Sequence, residues 1–399
     1  MTHAPFVFES DPYRTELATR VAFCGIDKAR PFVVLEETLF YPEGGGQPAD
    51  QGSIGEAAVV DVQKVSGTVR HYLDRPISDE GPVTARLDWR RRFDHMQQHT
   101  GQHLLTAVAT DRFGWETTAF HLGPEVSDIE LAATSLSAAD LAALEEAVAA
   151  EIRAAHPVSG RRVAPEELGS LGVRTRGLPE GHTGDVRLVE IAGIDLNTCG
   201  GTHLRSTAEI ELVKLLGTEP IRGGTRLFFV AGGRVRRRLA AHEARNASLR
   251  TLLGAGDAEL PAAAAAKLDH LQEAVRRGRA LEEELIGALV TSIAALPGPA
   301  TLLHFDGKGS DFLQRLARQL ATLAPQKVSF LTATDGGQSF FALGLGELLA
   351  LDLQKLGKEI VALLGGRGGG SGRVFQGKAP SLEGMEKVAR LIDQTTGGS

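Results

Sequence analysis

Two short motifs constrain this chain more than anything else in it: His99-Thr100-Gly101-Gln102-His103 and, about a hundred residues later, Cys199-Gly200-Gly201-Thr202-His203. Each sets two metal-ligand side chains four positions apart, and on a helix such residues share one face. Three imidazoles and one thiolate suit tetrahedral zinc. The fold is therefore expected to bring His99, His103, Cys199 and His203 to one point. An HxxxH pair alone also fits ordinary helix packing. The second half of the set, using one of only two cysteines in the chain, turns the reading toward metal. Position 100 is Thr where a zinc peptidase needs its glutamate base, which argues against a peptidase. His95, one turn before His99, is expected to support or pack.

At 399 residues the chain is expected to form two or three domains. The start, Met1-Thr2-His3-Ala4-Pro5-Phe6, lacks the basic and apolar pattern of a signal peptide, and no apolar run reaches the length of a membrane span. With few cysteines, one of them a proposed ligand, a reducing, cytoplasmic setting is expected, and Cys24 reads as a buried thiol. Net charge is −7, yet Lys214 to Arg250 holds nine Lys/Arg against two Glu. Arg90-Arg91-Arg92 precedes the first motif, and Arg161, Arg162, Arg174 and Arg176 add a third group. Charge runs are usually solvated faces; these surround both motifs and suggest a phosphate-binding footprint.

Residues 1–88 read as a small β-barrel, with β-branched and aromatic strands at 32–35, 58–62 and 68–73. Asp94 and Gln97 resemble a capping box opening a helix that runs to Arg112. A helix at 138–155 and strands at 186–191, 209–213 and 225–230 complete an α+β zinc-binding segment, 89–235. Residues 236–296 read as an antiparallel helical hairpin, with Leu268, Leu271, Val275, Leu281, Leu285 and Leu289 on the second arm. The stretch 297–399 alternates strands (301–305, 327–332, 339–343) with helices (311–323, 349–364), an α/β domain.

Two glycine-rich segments stand out. Gly44-Gly45-Gly46-Gln47 either turns backbone N–H groups toward a ligand or makes a hairpin turn. Residues 365–372, with Arg367 among the glycines, suit close approach to a phosphate backbone or another chain, against a flexible linker. Neither is a P-loop, so ATP hydrolysis is unsupported.

Both motifs, with Tyr41-Pro42-Glu43-Gly44-Gly45-Gly46-Gln47-Pro48, Asp94 to His99 and Val189 to Asn197 around them, resemble the alanyl-tRNA editing proteins of the AlaX family. The helical hairpin and final domain resemble that family's long form, and the whole resembles the editing and C-terminal parts of alanyl-tRNA synthetase, which implies that 297–399 binds tRNA or forms a homodimer. Residues 376–379 carry less glycine than the synthetase. The resemblance implies a zinc-dependent deacylase, with one zinc per chain, acting in trans on mischarged tRNA(Ala), chiefly seryl and also glycyl. A pocket that must admit alanine cannot exclude glycine and rejects serine weakly, so a second sieve is needed.

On this reading His99, His103, Cys199 and His203 bind zinc, which acidifies a water or orients the ester. A catalytic site needs an open position, with His203 the ligand expected to yield. Gly44, Gly45, Gly46 and Gln47 are expected to hold the terminal adenosine or the ester carbonyl. Thr100, Gln102, Thr117 and Thr118 are candidates for the serine hydroxyl, Arg91 and Arg367 for the RNA, and Asp195 for supporting a ligand. Two other classes compete: a non-catalytic zinc-stabilised adaptor for tRNA or a protein partner, and a zinc hydrolase of small esters.

Overall fold

The computed structural model describes residues 6–77, 80–174 and 184–397. The chain divides into two compact units, 1–248 and 249–399. It is a mixed α+β protein containing a closed six-stranded barrel.

In the first unit a short helix, α1 (Val7–Ser10), precedes the strands β1 (Glu16–Asp27), β2 (Arg30–Leu35), β3 (Gly52–Ile54), β4 (Ala57–Val65), β5 (Thr68–Leu73) and β6 (Gly81–Leu87). They close in the order β1-β2-β5-β4-β3-β6. Leu17, Val21, Val33, Val59, Val62 and Ala85 alternate inward to fill the interior. The expected barrel is present; β1, β3 and β6 had no clear sequence signal, because much of β1 lies at the surface.

Helix α2 (Trp89–Phe113) follows directly. Its N-cap is Asp88, whose carboxylate accepts the Arg91 N–H, and Gly114 closes it at φ 70°. This corrects the Asp94–Gln97 capping box. Asp94 lies inside the helix and pairs with Arg234 and Arg237, while Gln97 bonds the Glu209 carbonyl and the Gly233 N–H. A Ser/Asp-x-x-Gln pattern is thus met equally by a surface cap and by tertiary bridging.

The next elements are β7 (Thr117–Leu122), β8 (Ser127–Leu131), α3 (Ala138–Arg153), β9 (Val158–Val163), β10 (Val186–Ile191), β11 (Asp195–Thr198), β12 (Val213–Ile221) and β13 (Gly224–Ala231). Two antiparallel sheets result, β12-β13-β8-β7 and β11-β10-β9. Met96, Leu104, Leu105 and Val108 of α2 pack with Leu144, Val148 and Ile152 of α3 and with Ile129, Leu227 and Phe229 of the first sheet. Each such side chain contributes about 2 kcal/mol by leaving water. The strand expected at 209–213 is instead a 3-10 turn, Thr207–Ile210, opened by Ser206, with β12 starting at Val213.

Helix α4 (Gly233–Leu253) crosses the unit boundary, and α5 (Leu260–Ala294) opens the second unit's helical part. Leu260 is buried, Leu268, Leu271, Val275, Leu281 and Leu285 are exposed, and burial resumes at Ile286. Then come β14 (Ala300–Asp306), α6 (Ser310–Leu323), β15 (Val328–Asp335), β16 (Gln338–Leu345), α7 (Leu353–Leu364), β17 (Arg367–Ser371), β18 (Val374–Ala379) and α8 (Met385–Thr396). Their sheet runs β14-β15-β16-β18-β17, with only β14 and β15 parallel. The glycine-rich loop expected at 365–372 proves to be the edge strand β17. Cβ atoms at Gly368 and Gly370 would lie 2.6 and 2.4 Å from carbonyl oxygens of β18, so glycine is what lets this edge pair so closely.

Candidate metal centre and substrate cleft

The two motifs meet. Ligand atoms of His99, His103, Cys199 and His203 all lie within 4.8 Å of one another. His99 and His103 sit one turn apart on α2, a helix held rigid by the core beneath it. Cys199 follows the last residue of β11, its N–H donating to Arg187 of β10 at 3.1 Å. Arg187 donates in turn to the carbonyls of Cys199 and Gly201, at 2.9 and 2.7 Å, and so fixes the turn that returns His203 to the cluster.

Every imidazole is aimed by a bond at its outer nitrogen. His99 Nδ1 lies 2.9 Å from Gln47 Oε1, His103 Nδ1 3.1 Å from Asp195 Oδ2, and His203 Nδ1 3.2 Å from Thr100 Oγ1. The Gln47 and Asp195 oxygens accept the Nδ1 protons of His99 and His103, Thr100 holds Nδ1 of His203, and the three Nε2 atoms turn inward. The Cys199 sulfur stands 3.4 and 3.3 Å from the Nε2 atoms of His99 and His203. That is the donor set and outer support of a zinc site, and the residues fit the ion.

The electrostatics agree. Burial opposes a charged thiolate at Cys199, but the surrounding imidazoles His99 and His203 outweigh it and hold the thiol well below its usual range. Burial likewise opposes charge on His103, yet its bonds to Asp195 and Cys199 push it up to about 10. Burial, then the neighbouring His99, drives His203 down to about 3. Two anionic groups thus draw one positive charge to the middle of the cluster, where a metal would displace a proton.

A cleft of about 970 Å³ opens beside the cluster. Its wall includes His103 and Cys199, Gln102, Thr106, Thr110 and Thr117 on one side, and Phe6, Phe8, Tyr41, Gly44, Gly45 and Phe120 on another. His99 and His203 are not in the wall. The cleft therefore meets the cluster at His103 and Cys199, while His203 lies behind them, bonded to Thr100.

The family models matching the chain are described as the second additional domain of threonyl and alanyl tRNA synthetases, over residues 186–228, and as class II tRNA synthetases, over residues 22–91. A mouse (Mus musculus) protein named alanyl-tRNA editing protein Aarsd1 is 34% identical over 97% of both chains. The chain belongs to the alanyl-tRNA editing protein family. A Xenopus laevis relative, Aarsd1-B, is 33% identical over 98% of this chain and 97% of its own. Within this family setting, an alanine–tRNA ligase of Ignicoccus hospitalis is 31% identical over 98% of this chain but only 43% of its own length.

The remaining residues singled out in the sequence are distributed unevenly. Gly44 to Gln47 form a two-residue hairpin turn, closed by two backbone bonds, with Gly45 and Gly46 at φ 55° and 82°. A Cβ on Gly46 would lie 2.8 Å from the Phe120 ring. Gln47 is buried, its Oε1 facing His99 and its Nε2 donating to Thr202 at 2.9 Å, so its amide braces the cluster. Thr100 is likewise occupied, accepting the Leu204 N–H at 3.1 Å besides facing His203. Thr118 is exposed and bonds the Glu130 carbonyl away from the cleft; Thr117 lines it. Asp195 supports His103 as expected. His95 is buried outside the cluster, and burial pushes it down to about 3.

Much of the arginine footprint is structural. Arg92 is fully buried, bonded to Asp50 and to the carbonyls of Pro12 and Leu39. Arg91 donates to the Ala49 carbonyl; Arg162, Arg174, Arg226, Arg234, Arg236 and Arg237 all pair with carboxylates. Arg367 is exposed on β17, and Arg176 lies outside the described residues. Cys24 is part-buried. Sequence reasoning missed Arg187, Thr106 and Thr202. Only Thr202 had a signal, its place within the second motif.

Proposed function

We propose that the protein hydrolyses the ester joining a wrong amino acid to tRNA(Ala), chiefly serine and also glycine, acting in trans with one zinc ion at His99, His103, Cys199 and His203. The observation that carries this reading is the outward bond at each Nδ1, which turns three imidazoles toward one thiolate at the wall of an open cleft. The relatives named for alanyl-tRNA editing supply the substrate class.

Bound there, zinc would supply Lewis acidity toward the ester carbonyl or a water. The chain's own residues do the rest. Gly44 and Gly45 leave the rim bare for the terminal nucleoside to approach backbone. The Thr106 and Thr117 hydroxyls, 3.3 Å apart, can donate and accept as serine's hydroxyl does. An alanyl group offers them no such bond, which favours the seryl over the alanyl ester. The barrel and residues 89–235 are assigned to hydrolysis, 236–296 to spacing, and 297–399 to gripping tRNA, with Arg367, or to pairing with a second copy; the setting is the cytoplasm.

Purified protein incubated with seryl-, glycyl- and alanyl-tRNA(Ala) tests this. Release of serine but not alanine is expected, with metal analysis giving about one zinc per chain and His103→Ala inactive but folded. Intact RNA binding without any release would overturn hydrolysis in favour of an adaptor, and cleavage of simple esters without RNA would overturn the tRNA substrate.

A further inference from the structure

Among the described residues lining the cleft, one side chain has a buried polar atom without a protein partner: the carbonyl oxygen of Gln102. The residue is only 4% exposed. Its amide is oriented by the donation of Nε2 to Thr106 Oγ1 at 2.9 Å, and Thr106 is itself approached by Thr117. Burying an acceptor without a donor is costly, and such groups in native proteins call for an explanation. Gln102 and His103 line the same cleft, so the orphaned oxygen belongs to the wall that a substrate reaching the cluster passes.

We propose that Gln102 is a substrate-binding residue whose carbonyl oxygen accepts a hydrogen bond from the α-ammonium group of the bound aminoacyl ester. The inference rests on the hydrolytic reading above and names the part of the substrate that this side chain holds. Three considerations select the ammonium. An amide carbonyl only accepts, and the ammonium only donates, whereas serine's hydroxyl does both and matches the threonine hydroxyls. A charged donor gives a desolvated carbonyl its strongest bond. The α-nitrogen is separated from the ester carbonyl carbon by a single atom, about 2.5 Å away, so an acceptor on the wall of the cleft that admits the ester comes within reach of it. Every aminoacyl ester carries that nitrogen. Gln102 therefore orients the ester without choosing among side chains, and the choice falls to Thr106 and Thr117.

The test is a cycle of substrate and protein changes, read as kcat/KM for deacylation by the zinc-loaded full chain. Seryl-tRNA and N-acetyl-seryl-tRNA are compared first on the unaltered protein. Acetylation is expected to lower kcat/KM about 10- to 100-fold, the range for one hydrogen bond to a charged group. Gln102→Leu is expected to lower hydrolysis of seryl and glycyl esters by a similar, common factor while leaving the acetylated ester unchanged. Gln102→Glu, which retains an acceptor, should recover discrimination between free and acetylated esters. Equal hydrolysis of free and acetylated esters by the unaltered protein would overturn the proposal. So would a Gln102→Leu variant that loses seryl but not glycyl hydrolysis, since that pattern assigns the oxygen to the serine hydroxyl. Failure of the unaltered protein to hydrolyse seryl-tRNA at all would instead overturn the hydrolytic reading itself, and the two failures are distinct.

Discussion

Gln47 and His99 are joined by a bond of 2.9 Å between Oε1 and Nδ1, from a barrel hairpin to the second turn-pair of α2. The same oxygen accepts the Thr202 N–H at 3.0 Å, so one amide ties both metal motifs together. Gln47→Leu should therefore weaken zinc binding about 10- to 100-fold, the usual effect of removing a ligand's outer partner. Competition with a chromophoric chelator measures this, with circular dichroism checking that the barrel persists.

Gly201 has no room for a side chain. A Cβ there would stand 2.2 Å from His99 Cε1 and 2.8 Å from Gln47 Oε1. Gly201→Ala is expected to displace His99, abolish deacylation and destabilise the first unit by about 1–3 kcal/mol through overpacking. The neighbouring Gly200→Ala meets nothing within 4 Å and should be near neutral on both counts.

Arg92 and Asp50 are a buried ion pair linking α2 to the barrel, with Asp50 also accepting the Tyr41 N–H at 2.6 Å. Arg92→Leu would strand a carboxylate in the interior at a cost of about 3–5 kcal/mol. Replacing both partners, Arg92→Met with Asp50→Leu, should cost less than either single change if the unpaired charge dominates. Urea unfolding of the single and double variants decides it.

His71 gives the barrel a pH dependence. It is wholly buried, facing Thr38 Oγ1 through Nε2 at 2.7 Å and the Val33 carbonyl through Nδ1 at 3.1 Å, and burial lowers it to about 4. The unfolded chain binds a proton here near pH 6.5 while the folded chain does not. Stability from this group is therefore complete above pH 6.5 and falls on acidification from 6.5 toward 4, by up to about 3 kcal/mol. Unfolding midpoints across that range should show the loss, and His71→Gln should flatten it.

The four ligands were legible because their chemistry repeats at a spacing that a helix and a tight turn both honour, and the core strands 32–35, 58–62 and 68–73 because their apolar residues alternate. The turn that pairs β15 with β16 carries its own signal in Asp335-Gly336-Gly337. What stayed hidden was of another kind. Asp94, Gln97, Gln98 and Arg92 look like helix-surface residues, yet they bridge to Arg234, Gly233, Ala231 and Asp50, each far away along the chain.

From the order of residues alone came the His/Cys group and the barrel, since side-chain identity and local periodicity are properties of neighbours in sequence. Tertiary structure alone decided which polar groups face the cleft and which are occupied elsewhere: Gln47, Thr100 and most of the arginines turn to structural partners, and Gln102 keeps an oxygen free. A polar side chain's role depends on which donors and acceptors lie within 3 Å or so in space, and no pattern along the chain encodes that.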